Sequence, residues 1–477
     1  MSHALAGKLV VGLEGTWPTV AEGQWLAAWR PAGVILFSHN VKSHNQLRDL
    51  CKVLHENFPG LEIVADHEGG PVSQLAAAVG RPPACWSLGV IDDAGLTAGV
   101  FNETGRRLKA VGLDRVLAPV ADVMTESANP VIGCRAFGAE TSLVARHTVA
   151  AVSGLLSSGL DVCLKHWPGH GGTAVDTHRD GAVAGTGAIP APFVAGLEAG
   201  ADAVMVGHLD TEAVGGSPTD QPATLDDGFL TRTRRQFAGC RTGVPVLFAD
   251  DVSMGALGPA MAARGVPVPA ALDSGMFAPA ELPLAWFSAF AAAGCDRILV
   301  RSLPLRAFPV PAEQVSPPLS LSPASVSDAL PEPAAYRDAR ARLQLRSVAD
   351  FFDRTQDLCW LDYTPGDRWQ VAGGASDACQ EEFRRELQRR FRSVTRNPGD
   401  GPVPASCTRL LVTSHRPQPA ARVADLSLAG SGFCLVMGHP DLEPRFRGLL
   451  APRWRIGALY DVHGPDLFPQ EDPGTNI

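Results

Sequence analysis

Eight short runs of apolar and β-branched residues recur along the first 300 positions, each separated from the next by a stretch of helical period. They are "KLVVGLEG" (8–15), "GVILFSHN" (33–40), "EIVADHEGG" (62–70), "RVLAPVADV" (115–123), "LDVCLKHWPG" (160–169), "ADAVMVGH" (201–208), "PVLFADDVS" (245–253) and "DRILVRS" (296–302). Near-continuous apolarity is what a parallel strand covered on both faces requires. Segments such as "HNQLRDLCKVLHENF" and "SLVARHTVAAVSGLLSSG" place their apolar residues three and four apart, as helices that cover a sheet must. Eight strand–helix units predict an α/β fold, a (β/α)8 barrel over residues 1–350. Asp66, Glu68, Asp122, Lys165, His166, His208 and Asp250 all fall at or just past the C-terminal ends of their runs. In a barrel that end carries the chemistry, because the loops that follow the strands converge there.

After the eighth run the character changes. Residues 303–333 are rich in proline and serine and read as a loop or tether. "YRDARARLQLRSVADFFDRTQ" resumes helical period and is expected to complete the last barrel unit. Beyond it, "TRLLVTSHR" (408–416), "GFCLVMGHP" (432–440) and "RIGALYDV" (455–462) alternate with helical stretches, which predicts a second, smaller α/β domain over 360–477.

With 477 residues, 45% of them hydrophobic, the chain has material for both cores. The net charge of −9 and the dispersed cations leave no basic stripe for nucleic acid. No run of apolar residues is long enough to span a membrane, and "MSHALAGKLVVGLEGTW" lacks the pattern of a secretory leader. The 10 cysteines are scattered singly, several within apolar runs, and read as small buried side chains in a reducing compartment. A cytoplasmic protein is expected.

The most unusual segment is "KHWPGHGGTAVDTH" (165–178), three histidines and an aspartate on a stretch too rich in glycine for a helix or strand. Three readings compete for His166, His170, Asp176 and His178. They could stiffen a long loop. They could hold a metal, with His208 contributing, although Pro168 and Gly169 forbid the helical turn that would bring His166 and His170 to one face. Or Asp176 and His178, i and i+2 on an extended chain and so on one side of it, could form an acid–base dyad in which the carboxylate orients the imidazole. No activated serine stands out, so the partner of such a dyad would be a carboxylate in "LFADDVSM". Pattern alone leaves Asp250 and Asp251 equivalent candidates.

"KHWPGHGGTAVDTH" closely resembles the signature loop of glycoside hydrolase family 3, in its β-N-acetylglucosaminidase branch. "GVILFSHN", "ADHEGG", "LAPVADV", "IGCRAFG", "PATL", "LFADDVSM" and "AGCD" follow in the family's order over about residues 8–302. The resemblance implies that Asp250 is the nucleophile and His178 the proton donor, with Asp176 its partner. It implies substrate-binding roles for Asp66, Arg135, Lys165, His166 and His208, a supporting role for His170, and no metal or other cofactor. The implied activity is that of a retaining exo-β-N-acetylhexosaminidase acting on small glycans or muropeptides through a covalent glycosyl-Asp250. A phosphorylase of the same branch and a catalytically inactive sugar-binding protein stay open as alternatives. Neither nucleic acid nor membrane is an expected partner. The second domain resembles, more faintly, a reduced family 3 C-terminal layer. The chain departs from the family at Pro71, Gln74 and His39, where arginines are common.

Overall fold

The structure, a computed structural model, describes residues 2–126, 129, 131–173, 182–183, 191–210, 221–272, 274–309, 331 and 333–339, and five strands beyond them. The chain divides into two compact units, Met1–Ala335 and Tyr336–Ile477.

In the first unit each of the eight apolar runs forms a strand: β1 (Leu9–Gly12), β2 (Gly33–Leu36), β3 (Glu62–Ala65), β4 (Arg115–Val116), β5 (Asp161–Trp167), β6 (Ala203–Val206), β7 (Val246–Ala249) and β8 (Arg297–Val300). Every strand pairs in parallel with its sequence neighbours, and β8 returns to β1, so the sheet closes into the expected barrel. Inside it, Val10, Ile35, Val64, Leu117, Cys163, Ala203, Met205, Phe248 and Leu299 pack into one cluster. The small Cys163 and Ala203 leave room for the large Phe248, as interior layers of a packed barrel need. Leu9 and Val11, on the opposite side of β1 from Val10, are equally buried. That two-sided burial is why these strands read as continuous apolar runs rather than alternating ones.

Helices α1 (Val20–Trp29), α2 (His44–Asn57), α3 (Ala94–Ala110), α4 (Thr141–Leu156), α5 (Ala191–Ala199) and α6 (Asp227–Phe237) follow β1 to β6 in turn, and α7 (Leu257–Ala263) and α8 (Leu284–Ala293) follow β7. Their starts are written locally. Thr19 and Glu22 exchange side-chain and backbone bonds in a capping box before α1, and Ser43 and Asp226 accept the first free N–H groups of α2 and α6. Leu47, Leu50, Cys51 and Leu54, at helical spacing on α2, are fully buried. Among the described residues no helix is long and apolar enough to cross a membrane.

At the N-terminal end of the barrel one arginine ties four strands. Arg115, at the start of β4, meets Glu62 at 2.7 Å, Asp202 at 2.6 Å and Asp161 at 3.6 Å. Charges at this end stabilise the barrel and stand away from the catalytic face. The glycine ending β1 is required by packing: a Cβ on Gly12 would stand 1.9 Å from the carbonyl oxygen of Arg301, just past β8.

In the second unit, β9 (Asp357–Asp362), β10 (Ser393–Asn397), β11 (Thr408–Thr413), β12 (Phe433–Val436) and β13 (Arg455–Ala458) form a parallel sheet in the order β10-β9-β11-β12-β13. Three of these strands lie in the predicted runs; β9 and β10 were not anticipated. Residues 310–330 of the proline-rich segment, and the continuation of the following helix beyond residue 339, lie outside the described residues.

Candidate active site

The C-terminal end of the barrel gathers most of the candidate residues into one connected network. It begins where β3 ends. Asp66 and Glu68, two apart, both meet the ammonium of Lys165: Nζ donates to Asp66 Oδ1 at 2.5 Å and is ion-paired with Glu68 Oε1 at 2.5 Å. Arg135, in the short turn Gly133–Arg135, grips Glu68 with two parallel bonds, Nε to Oε2 at 2.8 Å and Nη2 to Oε1 at 2.9 Å. Such forked pairing fixes geometry as well as charge. The same Nη2 donates to His166 Nε2 at 3.2 Å. The other ring nitrogen, Nδ1, donates to Asp122 Oδ2 at 2.8 Å. With Nδ1 carrying its proton to the carboxylate, Nε2 presents a lone pair, which is what the Arg135 donor needs.

Lys165 and His166 are consecutive and in a regular strand would face opposite ways. The pairing of β5 with β6 loses register between Leu164 and Trp167, and in that irregular stretch both side chains reach the same network. Asp122 is completely buried and also accepts the backbone N–H groups of His166 at 3.2 Å and His170 at 2.6 Å. It therefore joins the end of β4 to the loop after β5. His170 continues the anchoring: its ring bonds Thr173 at 2.9 Å, and its carbonyl accepts from Asn129 at 2.7 Å. Gly171 passes so close to the β4 loop that a Cβ would lie 2.1 Å from Val123 O, and its own carbonyl accepts from Thr125 and Glu126. This close approach explains one of the loop's glycines. Asp176 and His178, further along the same loop, lie outside the described residues.

The electrostatics follow from burial answered by opposite charge. Glu68 has no exposed side-chain surface. Burial alone would raise its pKa, but Arg135 and Lys165 outweigh it and bring the carboxyl down to about 2. Burial likewise opposes the charge on Lys165, and Asp66 and Glu68 reverse that effect and hold it protonated. For His170, burial and then the neighbouring His166 outweigh the opposing pull of Asp122 and lower it to about 4, so it is neutral. The Arg135 donor on His166 Nε2 also makes that imidazole a poor metal ligand. Among the described residues no three of histidine, cysteine, aspartate and glutamate are grouped as a metal ion would need.

Asp250 and Asp251 stand after β7 on the same face, both partly exposed. Asp250 N donates to Val206 O at 3.1 Å, and its Oδ1 accepts the N–H of Asp251 at 2.8 Å. Asp251 bonds elsewhere: Oδ1 accepts from the hydroxyl of Ser253 at 2.6 Å, and Oδ2 from Arg301 Nε at 2.8 Å. The two carboxylates that the sequence pattern could not separate are thus distinguished by their partners. His208 is buried after β6, bonded to Thr224 and to the carbonyl of Asp251. At the rim over β1 to β3, Gln74 accepts from Ser38 N at 3.1 Å and His39 bonds Leu13 O at 2.8 Å, so the residues that stand in place of arginines tie neighbouring strand ends together.

Glu68 and Asp122 were visible as strand-end carboxylates, but their roles in the network were not. Asn129, Thr173 and Thr224 were not singled out, although Thr173 lies within the histidine loop and Thr224 within "PATL".

A barrel of eight parallel strands with a connected network of charged side chains at its C-terminal end is the frame of a barrel enzyme, and comparison with known proteins assigns its family. Residues 11–277 match the glycosyl hydrolase family 3 N-terminal domain, and the chain belongs to that family; it is a glycoside hydrolase. It is 33% identical over 283 residues to a "Beta-hexosaminidase" of Stenotrophomonas maltophilia (strain R551-3), covering 56% of this chain and 81% of that protein. A "Beta-hexosaminidase" of Xylella fastidiosa (strain M23) is 34% identical over 263 residues, 52% and 76% of the two chains. Among solved structures, NagZ from Neisseria gonorrhoeae in complex with N-trifluoroacetyl-D-glucosamine is 28% identical with a TM-score of 0.53, over 65% of this chain and 87% of that one. A family 3 β-N-acetylglucosaminidase from Paenibacillus sp. str. FPU-7 shares the fold at a TM-score of 0.64 and 19% identity, over 98% and 95%.

Proposed function

We propose that this glycoside hydrolase is a retaining exo-β-N-acetylhexosaminidase that removes terminal N-acetylglucosamine from small glycans, muropeptide fragments included. The observation that carries the reading is the network around Lys165. The Lys165 ammonium donates to Asp66 and is held by the charge of Glu68, and its three donors allow it a further bond to a sugar oxygen. Asp66 Oδ2 has no protein partner among the described residues and is the acceptor for a sugar hydroxyl. The names of the relatives support the choice of an N-acetylated hexose.

In the first step the Asp250 carboxylate attacks the anomeric carbon while protonated His178 gives its proton to the departing glycosidic oxygen. In the second, neutral His178 takes a proton from water, the water oxygen bonds to the anomeric carbon, and the Asp250 ester bond breaks. Asp176 orients the imidazole in both steps. Arg135 and Lys165 anchor sugar oxygens, His166 holds Arg135 in place from Asp122, and His170 secures the loop. Six buried free cysteines among the described residues suit a reducing compartment, supporting a cytoplasmic location.

The test is hydrolysis of a chromogenic β-N-acetylglucosaminide. Asp250→Ala is expected to lower kcat by at least about 10⁴-fold. His178→Ala is expected to lower it by about 10²–10⁴-fold, and least for leaving groups that need little protonation. Near wild-type turnover by Asp250→Ala would refute the assignment.

A further inference from the structure

Asp251 is held at three points by residues that do not belong to the Lys165 network. Its carbonyl accepts from His208 Nε2 at 3.0 Å. A carbonyl cannot donate, so Nε2 carries the proton, and in the neutral ring Nδ1 is then an acceptor. The donor to Nδ1 is the hydroxyl of Thr224, 2.7 Å away. Thr224 and His208 are both buried, at 0% and 1% exposure. Thr224 lies in the short turn Ala223–Leu225, inside the "PATL" stretch. On the other side, Oδ1 of Asp251 accepts from both N and Oγ of Ser253, and Oδ2 accepts from Arg301 Nε at the end of β8. So constrained, Asp251 directs its own N–H at Asp250 Oδ1, 2.8 Å away.

We propose that Thr224 and His208, with Arg301, are positioning residues that fix Asp251 so that its N–H sets the orientation of the Asp250 carboxylate. This rests on the reading of Asp250 as nucleophile. Thr224 holds the ring of His208 at Nδ1, His208 and Arg301 lock Asp251 from β6 and β8, and Asp251 aligns the carboxylate that attacks the sugar. His208 therefore acts through Asp251 rather than on the substrate. An ångström-scale error in the placement of a reacting group slows reaction by up to ~10²-fold.

Thr224→Val keeps the shape and removes the hydroxyl, so the ring of His208 loses its hold at Nδ1. Burst kinetics with an activated aryl β-N-acetylglucosaminide should show a glycosylation rate constant about 10–10²-fold lower at saturating substrate, with the Kd taken from the substrate dependence of the burst rate unchanged. Thr224→Ser should restore most of the rate. Arg301→Gln, at a side chain that is 47% exposed and tolerant of change, should slow the same step by a smaller factor, with Arg301→Lys recovering part of it. A weaker Kd with an intact glycosylation rate constant in Thr224→Val would mean that His208 serves the substrate directly and would overturn the proposal. So would wild-type burst rates in a Thr224→Val enzyme that differs only in melting temperature. If Thr224→Val does not fold, a wild-type burst rate in Arg301→Gln overturns it instead. Asp250→Ala, measured alongside, separates the two levels. Activity retained there removes the nucleophile reading itself, whereas an inactive Asp250→Ala beside unaffected Thr224 and Arg301 variants removes only the positioning role.

Discussion

The two sides of the barrel mouth are built on different principles. Between β3 and β5, Glu68, Asp122 and Lys165 are buried charges, each answered by opposite charge or by several donors. From β6 to β8, Asp250 and Asp251 are partly exposed, and the donors on Asp250 Oδ1 and the Asp251 carbonyl are neutral, a backbone N–H and an imidazole. The difference teaches how one rim can bind and react. A sugar's hydroxyls are gripped best by charges already fixed in place, with their desolvation paid for on folding. A nucleophile must keep its reach, and a backbone N–H can aim one of its oxygens without burying the carboxylate.

The largest effect that would break this contrast comes from removing the hub of the charged side. Glu68→Ala leaves Lys165 and Arg135 buried without their shared carboxylate and is expected to destabilise the fold by about 3–5 kcal/mol, read from the shift in denaturant midpoint. Asp250→Ala, on the other side, should abolish turnover yet stay within about 0.5 kcal/mol of wild type. Equal destabilisation by the two would erase the distinction.

A smaller effect appears in the pH dependence of stability. His67, between Asp66 and Glu68, is buried, and burial lowers it from its ordinary 6.5 to about 4. Its Nδ1 accepts from Leu75 N and its Nε2 bonds Gly80 O, so the folded protein keeps it neutral. Below pH 6.5 the unfolded chain binds a proton that the folded one refuses, and stability falls as pH drops toward 4. His170 adds to the loss over the same range. Glu68 has the complementary acid limb: its contribution is complete above its ordinary 4.5 and is lost as pH falls toward 2. Melting temperatures followed from pH 7 downward should therefore begin to fall near 6.5. His67→Gln should flatten the upper part of the curve and leave the lower part in place; an unchanged upper slope would remove His67 from the account.

The barrel was legible because burial on both faces writes each strand as a run of its own, and all eight runs became strands. β9 and β10 were missed for the opposite reason. "DLCWLD" carries an aspartate at each end, and "SVTRN" is short and polar, as an edge strand can be. In the site, Asp66, Lys165, His166 and His170 could be picked out because they sit at strand ends or crowd one short loop. Their pairings could not. Glu68 meets Arg135 across 67 positions and Asp122 meets His166 across 44, and no local period records such pairings. Thr224 looks like any buried threonine until the ring of His208 is seen against its hydroxyl.

The most direct test of the central claim is to trap the sugar on the enzyme. A 5-fluoro N-acetylglucosaminyl fluoride, which forms the glycosyl-enzyme faster than water releases it, should add one sugar to the intact mass. Peptide mapping should place that sugar on Asp250, with no adduct in Asp250→Ala. Turnover of the substrate without any trapped adduct, or an adduct on another carboxylate such as Asp251, would contradict the account.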